Sequence, residues 1–347
     1  MAVPSTSTSI DEEALRAFLV GVIPGFSGDD PLEIDRVQAG HSNLTYKVVA
    51  GSQRLVLRRP PAGPLPPSAH DMLREYRILE RLARANLRSP RPVASSDDTS
   101  IVGAPFYLME LVDGIVTRQT VPPELADHGD RRALSADIIE MMAELHAANW
   151  KAIGLDEVVP AGGDYLRRQI RRWQKLWVQT HTREVPQLEQ VGQWIEANLP
   201  HSTETTIVHG DFKLDNILVR PGHPPRCTAL LDWELSTIGD PLADLGWLML
   251  WWVNPGESIE EPLRLCMATH EGGFMTRDEL RALYEQRTGR DTSRIGWYQV
   301  FGLWRLAILF EGSYKRHLSG TADDEWFAEL ETGVPYLIRR ARELIDR

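Results

Sequence analysis

Apolar and polar positions repeat with two different periods along this chain, and the change from one to the other divides it. Residues 11–20 (DEEALRAFLV) open on acids and continue with helix formers, which predicts a short helix. The next apolar runs are short and β-branched or alternating, at 34–37, 44–49 and 54–58, separated by Ala39-Gly40 and Ala50-Gly51. Period-two runs broken by small turn residues predict a three-stranded antiparallel meander. The stretch 60–68 (PPAGPLPPS) holds too many prolines to extend a strand or a helix and is expected to loop. From Asp71 to Ala85 the period lengthens, with Met72, Tyr76, Leu79 and Leu82 on one helical face. Two more strands are expected at 92–95 and 106–111.

Past Gly114 the helical period dominates. Leu134, Ile138, Met141, Met142 and Leu145 share one face, and residues 164–177 make another helix. Further helices are expected over 242–253, 276–286, 297–318 and 324–346. Between them, 206–241 carries short apolar strands in VHGDFKLDNILV and TALLDWEL. The pattern predicts an α+β chain of two lobes. A small antiparallel β-rich lobe covers 1–111, and a larger, mainly helical lobe covers 112–347. A ligand is expected at the cleft, since ligands favour domain interfaces.

Composition narrows the partners. The 347 residues are 42% hydrophobic and 25% charged, enough for two lobes with a sizeable core. The net charge of −11, from 49 acidic and 38 basic side chains, excludes a general nucleic-acid binder. It fits solubility and would tolerate a cationic substrate. Cys227 and Cys266 fall in no metal-ligand spacing, which points away from disulfides and zinc and towards a cytoplasmic setting. The opening MAVPSTSTSIDEE has neither the basic nor the apolar part of a signal peptide. The longest apolar run, LGWLMLWWV at 245–253, is far short of the ~18–20 residues that span a bilayer. It reads as a buried helix, so no membrane partner is expected.

The chemistry concentrates in His209-Gly210-Asp211-Phe212-Lys213-Leu214-Asp215-Asn216. An Asp stands five residues before an Asn on a turn between apolar segments, and sixteen residues beyond Asn216 a second strand ends in Asp232-Trp233-Glu234. Phosphoryl transfer needs such parts: one carboxylate for the attacking hydroxyl, and an amide oxygen and second carboxylate for magnesium.

These motifs, HGD-x4-N followed by LDWE, resemble the aminoglycoside and choline phosphotransferase superfamily, which has the protein-kinase-like fold. The continuation LDWELSTIGDPLADLG and the earlier DYLRRQIRRW look most like the phosphotransferase domains associated with acyl-CoA dehydrogenases. The resemblance implies a kinase that moves the terminal phosphate of ATP (or GTP) with Mg2+ to a small-molecule hydroxyl, such as that of a hydroxyacyl-CoA. It makes Asp211 the catalytic base and Asn216 and Asp232 the magnesium ligands. His209 would orient the loop backbone, Lys213 could neutralise the transferred phosphate, and Asp240 and Asp244 would brace the segment or cap the next helix. Where a protein kinase holds the α- and β-phosphates with a Lys, this chain offers Arg58, with Glu75 as the expected partner. Arg59 would take that place if the strand slipped by one residue. The phosphate-covering turn would be Gln38 to Asn43, through Gly40, Ser42 and Asn43, and Met109-Glu110-Leu111-Val112 resembles the connector whose backbone meets the adenine edge.

The acceptor side stays open in the sequence. Arg168, Arg171, Arg172 and Lys175 form a basic stripe on one helix, which suits an anionic substrate or a solvated face. An aminoglycoside or amino-alcohol kinase would instead want acids, for which Glu271, Asp278, Glu279, Glu311 and Asp324 are the candidates. A nucleotide-binding pseudokinase is the remaining alternative, although the base and both metal ligands are present. The eight tryptophans at 173, 177, 233, 247, 251, 252, 297 and 304 read mainly as core.

Overall fold

The alternating runs at the start of the chain pair into one five-stranded antiparallel sheet. The computed structural model describes residues 10–37, 43–61, 71–161, 164–201, 204–260, 263–321 and 325–346. The chain divides into two units. The first comprises Met1–Asp113 with Lys151–Val158 and Leu231–Glu234; the second comprises Gly114–Trp150, Val159–Leu230 and Leu235–Arg347.

In the first unit, helix α1 (Glu12–Val22) starts where the Asp11 carboxylate accepts the amides of Glu13 and Ala14. Strands β1 (Leu32–Val37), β2 (Leu44–Ala50) and β3 (Gln53–Arg59) form the meander. Helix α2 (Met72–Arg84), strand β4 (Pro92–Ser96), the single turn α3 (Thr99–Val102) and strand β5 (Phe106–Glu110) follow. The sheet order is β1-β2-β3-β5-β4. Tyr46, Val48, Leu55, Leu57, Phe106 and Leu108 pack with Leu15 and Leu19 of α1 into one core. Because successive residues of a strand face opposite sides, Leu57 in that core sends Arg58 to the other face. Helix α2 lies against β4 and β5 and buries Met72, Glu75, Ile78, Leu79 and Leu82. A glutamate thus stands in an otherwise apolar stripe.

The second unit is helical around two small β ladders. Its elements are α4 (His128–Ala147), α5 (Tyr165–Thr180), α6 (Pro186–Ala197), β6 (Thr206–Val208), β7 (Ile217–Arg220), β8 (Arg226–Leu230) and β9 (Thr237–Gly239). Helices α7 (Leu242–Trp251), α8 (Arg277–Thr288), α9 (Ile295–Leu318) and α10 (Leu330–Ile345) complete it. Strand β6 pairs with β9 and β7 with β8, both antiparallel. Helix α9 is the hub, packed by α5, α6, α7 and α10. The expected apolar face of α4, from Leu134 to Leu145, is buried.

Two helices of the second unit differ from the sequence reading. Helix α6 was not expected, although Pro186 at its first turn and Leu188, Val191 and Ile195 on one face announce it. The last helix begins at Leu330, after a 3-10 stretch at Glu325–Glu329. The run 245–253 lies in and just after α7 and is buried at every position, as a helix apolar all round requires. No helix among the described residues is long and apolar enough to cross a membrane.

Helices α7 and α9 approach through Gly246, where an added Cβ would stand 2.6 Å from the Tyr298 Cβ. Gly246→Ala should therefore destabilise the protein by about 1–3 kcal/mol through overpacking, despite alanine's better helix propensity. Urea unfolding measures it, and an unchanged or higher midpoint would contradict so close a helix contact.

Candidate active site

The turn after β6 leaves its backbone polar groups buried, and side chains from distant helices satisfy them. Gly210 has φ +84, and a Cβ there would lie 2.8 Å from the Leu235 carbonyl oxygen, so only glycine fits. The amides of His209 and Gly210 donate to the two oxygens of Asp244, at 2.7 and 2.8 Å. The Gly210 carbonyl accepts from Arg305 at 2.6 Å, and the Asp211 amide donates to His209 Nδ1 at 3.2 Å. Asp244 is completely buried, and so is the His146 ring beside it, which lies 3.4 Å from Asp244 and 2.7 Å from the Tyr284 hydroxyl. Burial opposes the charge on Asp244, but the bonds from His146 and the Gly210 amide and the nearby His209 hold its carboxyl below the ordinary value.

This frame presents Asp211 with both carboxylate oxygens engaged. Oδ1 accepts from the Trp247 indole at 2.7 Å, and Oδ2 from Asn216 Nδ2 at 2.9 Å. The same Nδ2 donates to the Asp211 carbonyl at 2.9 Å, which leaves the Asn216 amide oxygen as the acceptor end. Lys213 Nζ stands 3.4 Å from Asp211 and 3.5 Å from Asp215, over the Trp251 ring. Burial disfavours its charge, but Asp211 and Asp215 outweigh that and raise its pKa, so it stays protonated.

The first unit holds a second cluster. Arg58 donates to Glu75 at 2.5 Å, to the Tyr107 hydroxyl at 3.3 Å and to Asp232 at 3.4 Å. Glu75 also accepts the Trp233 amide at 3.1 Å, and Arg74 donates to the Glu234 carbonyl at 2.8 Å. Helix α2 thus grips the Asp-Trp-Glu segment by its backbone. Burial opposes the Arg58 charge, yet Glu75, Tyr107 and Asp232 raise its pKa well above the ordinary value. Burial pushes the Glu75 carboxyl up against the opposing pull of Arg58. Asp232 has φ +67, left-handed backbone that a non-glycine residue adopts at a cost of about 1–3 kcal/mol.

Residues 33–295 match the family model described as the phosphotransferase enzyme family, APH. The chain belongs to that family. It is 35% identical over 93% of its length to acyl-CoA dehydrogenase family member 10 of Mus musculus, and spans 30% of that relative. A candidate aminoglycoside phosphotransferase from Ralstonia eutropha JMP134 superposes with TM-score 0.79 at 31% identity, over 97% of this chain and 98% of that one. An aminoglycoside phosphotransferase in ternary complex with AMP-PNP and hygromycin B shares the fold, with TM-score 0.57 at 18% identity over 94% and 98% of the two chains. The two-lobe α+β fold of kinases is therefore the fold of this phosphotransferase.

Within this phosphotransferase, the sequence-predicted residues fall into the two clusters. Asp211, Lys213 and Asn216 meet in one unit, and Arg58, Glu75 and Asp232 in the other. Arg59 faces away, donating to the Val102 carbonyl. Asn43 reaches Glu234 at 3.4 Å, so it ties down the Asp-Trp-Glu segment. Gly40 and Ser42 lie outside the described residues. Glu110 commits its amide to the Arg91 carbonyl and its carboxylate to the Arg91 amide, whereas the Val112 amide makes no backbone bond among the described residues.

Three of the acids suggested for a cationic acceptor hold structural partners. Glu311 is fully buried and bound to Thr182 and Arg183, Glu279 caps α8 and pairs with Arg132, and Glu271 accepts the Val121 amide. Asp278 is exposed, and Asp324 lies outside the described residues. In the basic stripe, Arg171, Arg172 and Lys175 are exposed and Arg168 is half-buried. Sequence reasoning missed Trp247, Arg305, Tyr107 and Arg74. Trp247 had one signal, its position three residues after Asp244 on the same face of α7.

Asn216 and Asp232 stand in separate units, and each carries an oxygen donor of the hard type that magnesium prefers. No group of three or more His, Cys, Asp or Glu among the described residues could hold a metal ion. One amide oxygen and one carboxylate suit magnesium, which takes its remaining ligands from water and phosphate.

Asp244 also gives a pH prediction. Its folded pKa lies below the unfolded value, so its stabilisation is fully present above about pH 4 and is lost as pH falls through the folded value. Asp244→Asn leaves a buried amide facing an N–H, which should cost about 1–3 kcal/mol at neutral pH. The gap between wild type and variant should narrow below about pH 4. Urea midpoints at pH 7 and pH 3 measure this, and a gap independent of pH would remove the carboxylate's role.

Proposed function

We propose that this phosphotransferase is an ATP-dependent kinase of a small-molecule hydroxyl, with a hydroxyacyl-CoA as acceptor. The observation that carries the reaction class is Asp211, held on both oxygens at the end of a turn whose His209 and Gly210 amides both bond to Asp244. Asp211 accepts the proton of the attacking hydroxyl. The amide oxygen of Asn216 and the carboxylate of Asp232 bind magnesium, which supplies charge neutralisation on the phosphates. Arg58, fixed by Glu75 and Tyr107, offers its fork to the α- and β-phosphates, a bidentate role that guanidinium geometry suits. Lys213 balances the charge beside Asp211. Gly40, Ser42, Asn43, Glu110 and Val112 are proposed to complete the nucleotide contacts, Val112 through its backbone amide, Glu110 by placing the connector it ties to Arg91 and Asn43 from beside the Glu234 it holds. The chemistry asks little covalent help from the protein, so positioning and charge carry most of the rate.

The nucleotide is supported by the fold shared with an enzyme complexed with AMP-PNP. The acceptor is supported by similarity to an acyl-CoA dehydrogenase family member and by the exposed cations of α5, which suit a CoA phosphate. Similarity to the Ralstonia protein favours an aminoglycoside instead, and one screen separates the two.

ATP consumption is measured with hydroxyacyl-CoAs, aminoglycosides and amino alcohols, for wild type and Asp211→Asn. The hydroxyacyl-CoA should turn over fastest, and the variant should lose about 10²–10⁴ in kcat with nucleotide affinity almost unchanged. A variant retaining more than about a third of kcat is outside that range and removes the base from Asp211. Faster turnover of an aminoglycoside than of every thioester overturns the acceptor. Separately, Asp232→Ala should abolish the magnesium enhancement of ATP binding in calorimetry. The same enhancement in both proteins would leave Asp232 a structural residue.

A further inference from the structure

Trp150, Trp252, Trp297 and Trp304 each give their indole N–H to a backbone carbonyl. That is how a buried tryptophan ordinarily satisfies its polar edge. Trp247 does otherwise: it donates to a carboxylate oxygen, Asp211 Oδ1, at 2.7 Å. Its ring face is also occupied by a charge, since the Arg305 guanidinium carbon lies 3.8 Å from its centroid. Arg305 is buried, and its guanidinium meets rings and a backbone carbonyl. Its support is the Trp247 ring, the Trp173 ring at 5.5 Å and the Gly210 carbonyl at 2.6 Å. Burial lowers its pKa against the weaker pull of Tyr165, Asp211 and Asp244. That charge sits against the carbonyl of the residue preceding Asp211 and on the ring that donates to Asp211.

We infer that Trp247 is a positioning residue for phosphoryl transfer, with its indole N–H fixing Asp211 Oδ1 and Arg305 fixing both the ring and the Gly210 carbonyl. The inference rests on the reading of Asp211 as proton acceptor. Asn216 holds Oδ2 from one side, and a carboxylate held at one oxygen can still swing about its bond to Cβ. A second donor at Oδ1 removes that freedom and leaves the remaining Oδ1 lone pair aimed in one direction. Misplacing a reacting group by about 1 Å can cost about 10²-fold in rate.

Two readouts on the full chain test it. Trp247→Phe keeps an aromatic face for Arg305 and deletes the donor. Its kcat should fall about tenfold to a hundredfold, with KM for ATP unchanged, the range that loss of a charged hydrogen bond spans. A kcat within about twofold of wild type, well short of that range, overturns the inference. The second readout needs no activity. In proton–nitrogen correlation spectra the Trp247 indole signal, assigned by its loss in Trp247→Phe, should move when Asp211→Asn replaces the charged acceptor, and also in Arg305→Lys. An indole signal indifferent to Asp211→Asn overturns the hydrogen bond even if Trp247→Phe fails to fold. Should Asp211→Asn keep its activity while the indole signal moves, the reading of Asp211 as base fails and the positioning role falls with it, although the bond itself stands.

Discussion

Two buried N–H groups, those of His209 and Gly210, set the terms for the second unit. A strand that ends inside the protein on a left-handed glycine turns its amides away from any sheet partner, and each must find an acceptor or cost about 1–3 kcal/mol. One carboxylate, Asp244, serves both, and it does so only because α7 begins at the right distance and packs on α9 without an intervening side chain at Gly246. The His209–Asp211 turn, the tryptophan-rich helix and the long hub helix are therefore one mechanical object. His146 and Tyr284 extend it to α4 and α8.

The first unit solves a different electrostatic problem. Arg58 lies between two carboxylates and a phenol, and its partner Glu75 is shared with the Trp233 amide. A charge so enclosed is kept in place by partners that are themselves fixed, Glu75 by α2 and Tyr107 by β5. Replacing the lysine of protein kinases by arginine suits this arrangement, because a planar fork can face several acceptors at once.

The sequence made the two-lobe layout legible because the hydrophobic period changes near Gly114 and each period admits one kind of element. Asp211 and Asn216 were legible because their contact is local, five residues apart on one turn. Arg58 and Arg59 could not be told apart until the sheet register placed Leu57 in the core. Trp247 and Arg305 stayed hidden in apolar runs, 36 and 95 residues from the groups they touch, where composition says buried and nothing about what the buried edge faces. Helix α6 had a readable stripe that went unread. That Leu231–Glu234 belongs with the first unit had no local signal at all, since its bonds to Asn43, Arg58 and Glu75 span 158 to 191 residues.

That long reach bears on how the chain comes off the ribosome. Residues up to Asp113 emerge well before Glu234, and at translation rates of about 5–20 residues per second the interval is roughly 6–24 s. Throughout it, neither the amide of Trp233 nor the carboxylate of Asp232 is available to Arg58 and Glu75. The Arg58 cluster is thus the last part of its own unit to be finished, and a chain released early would carry the sheet without Asp232 and Trp233 to complete that cluster.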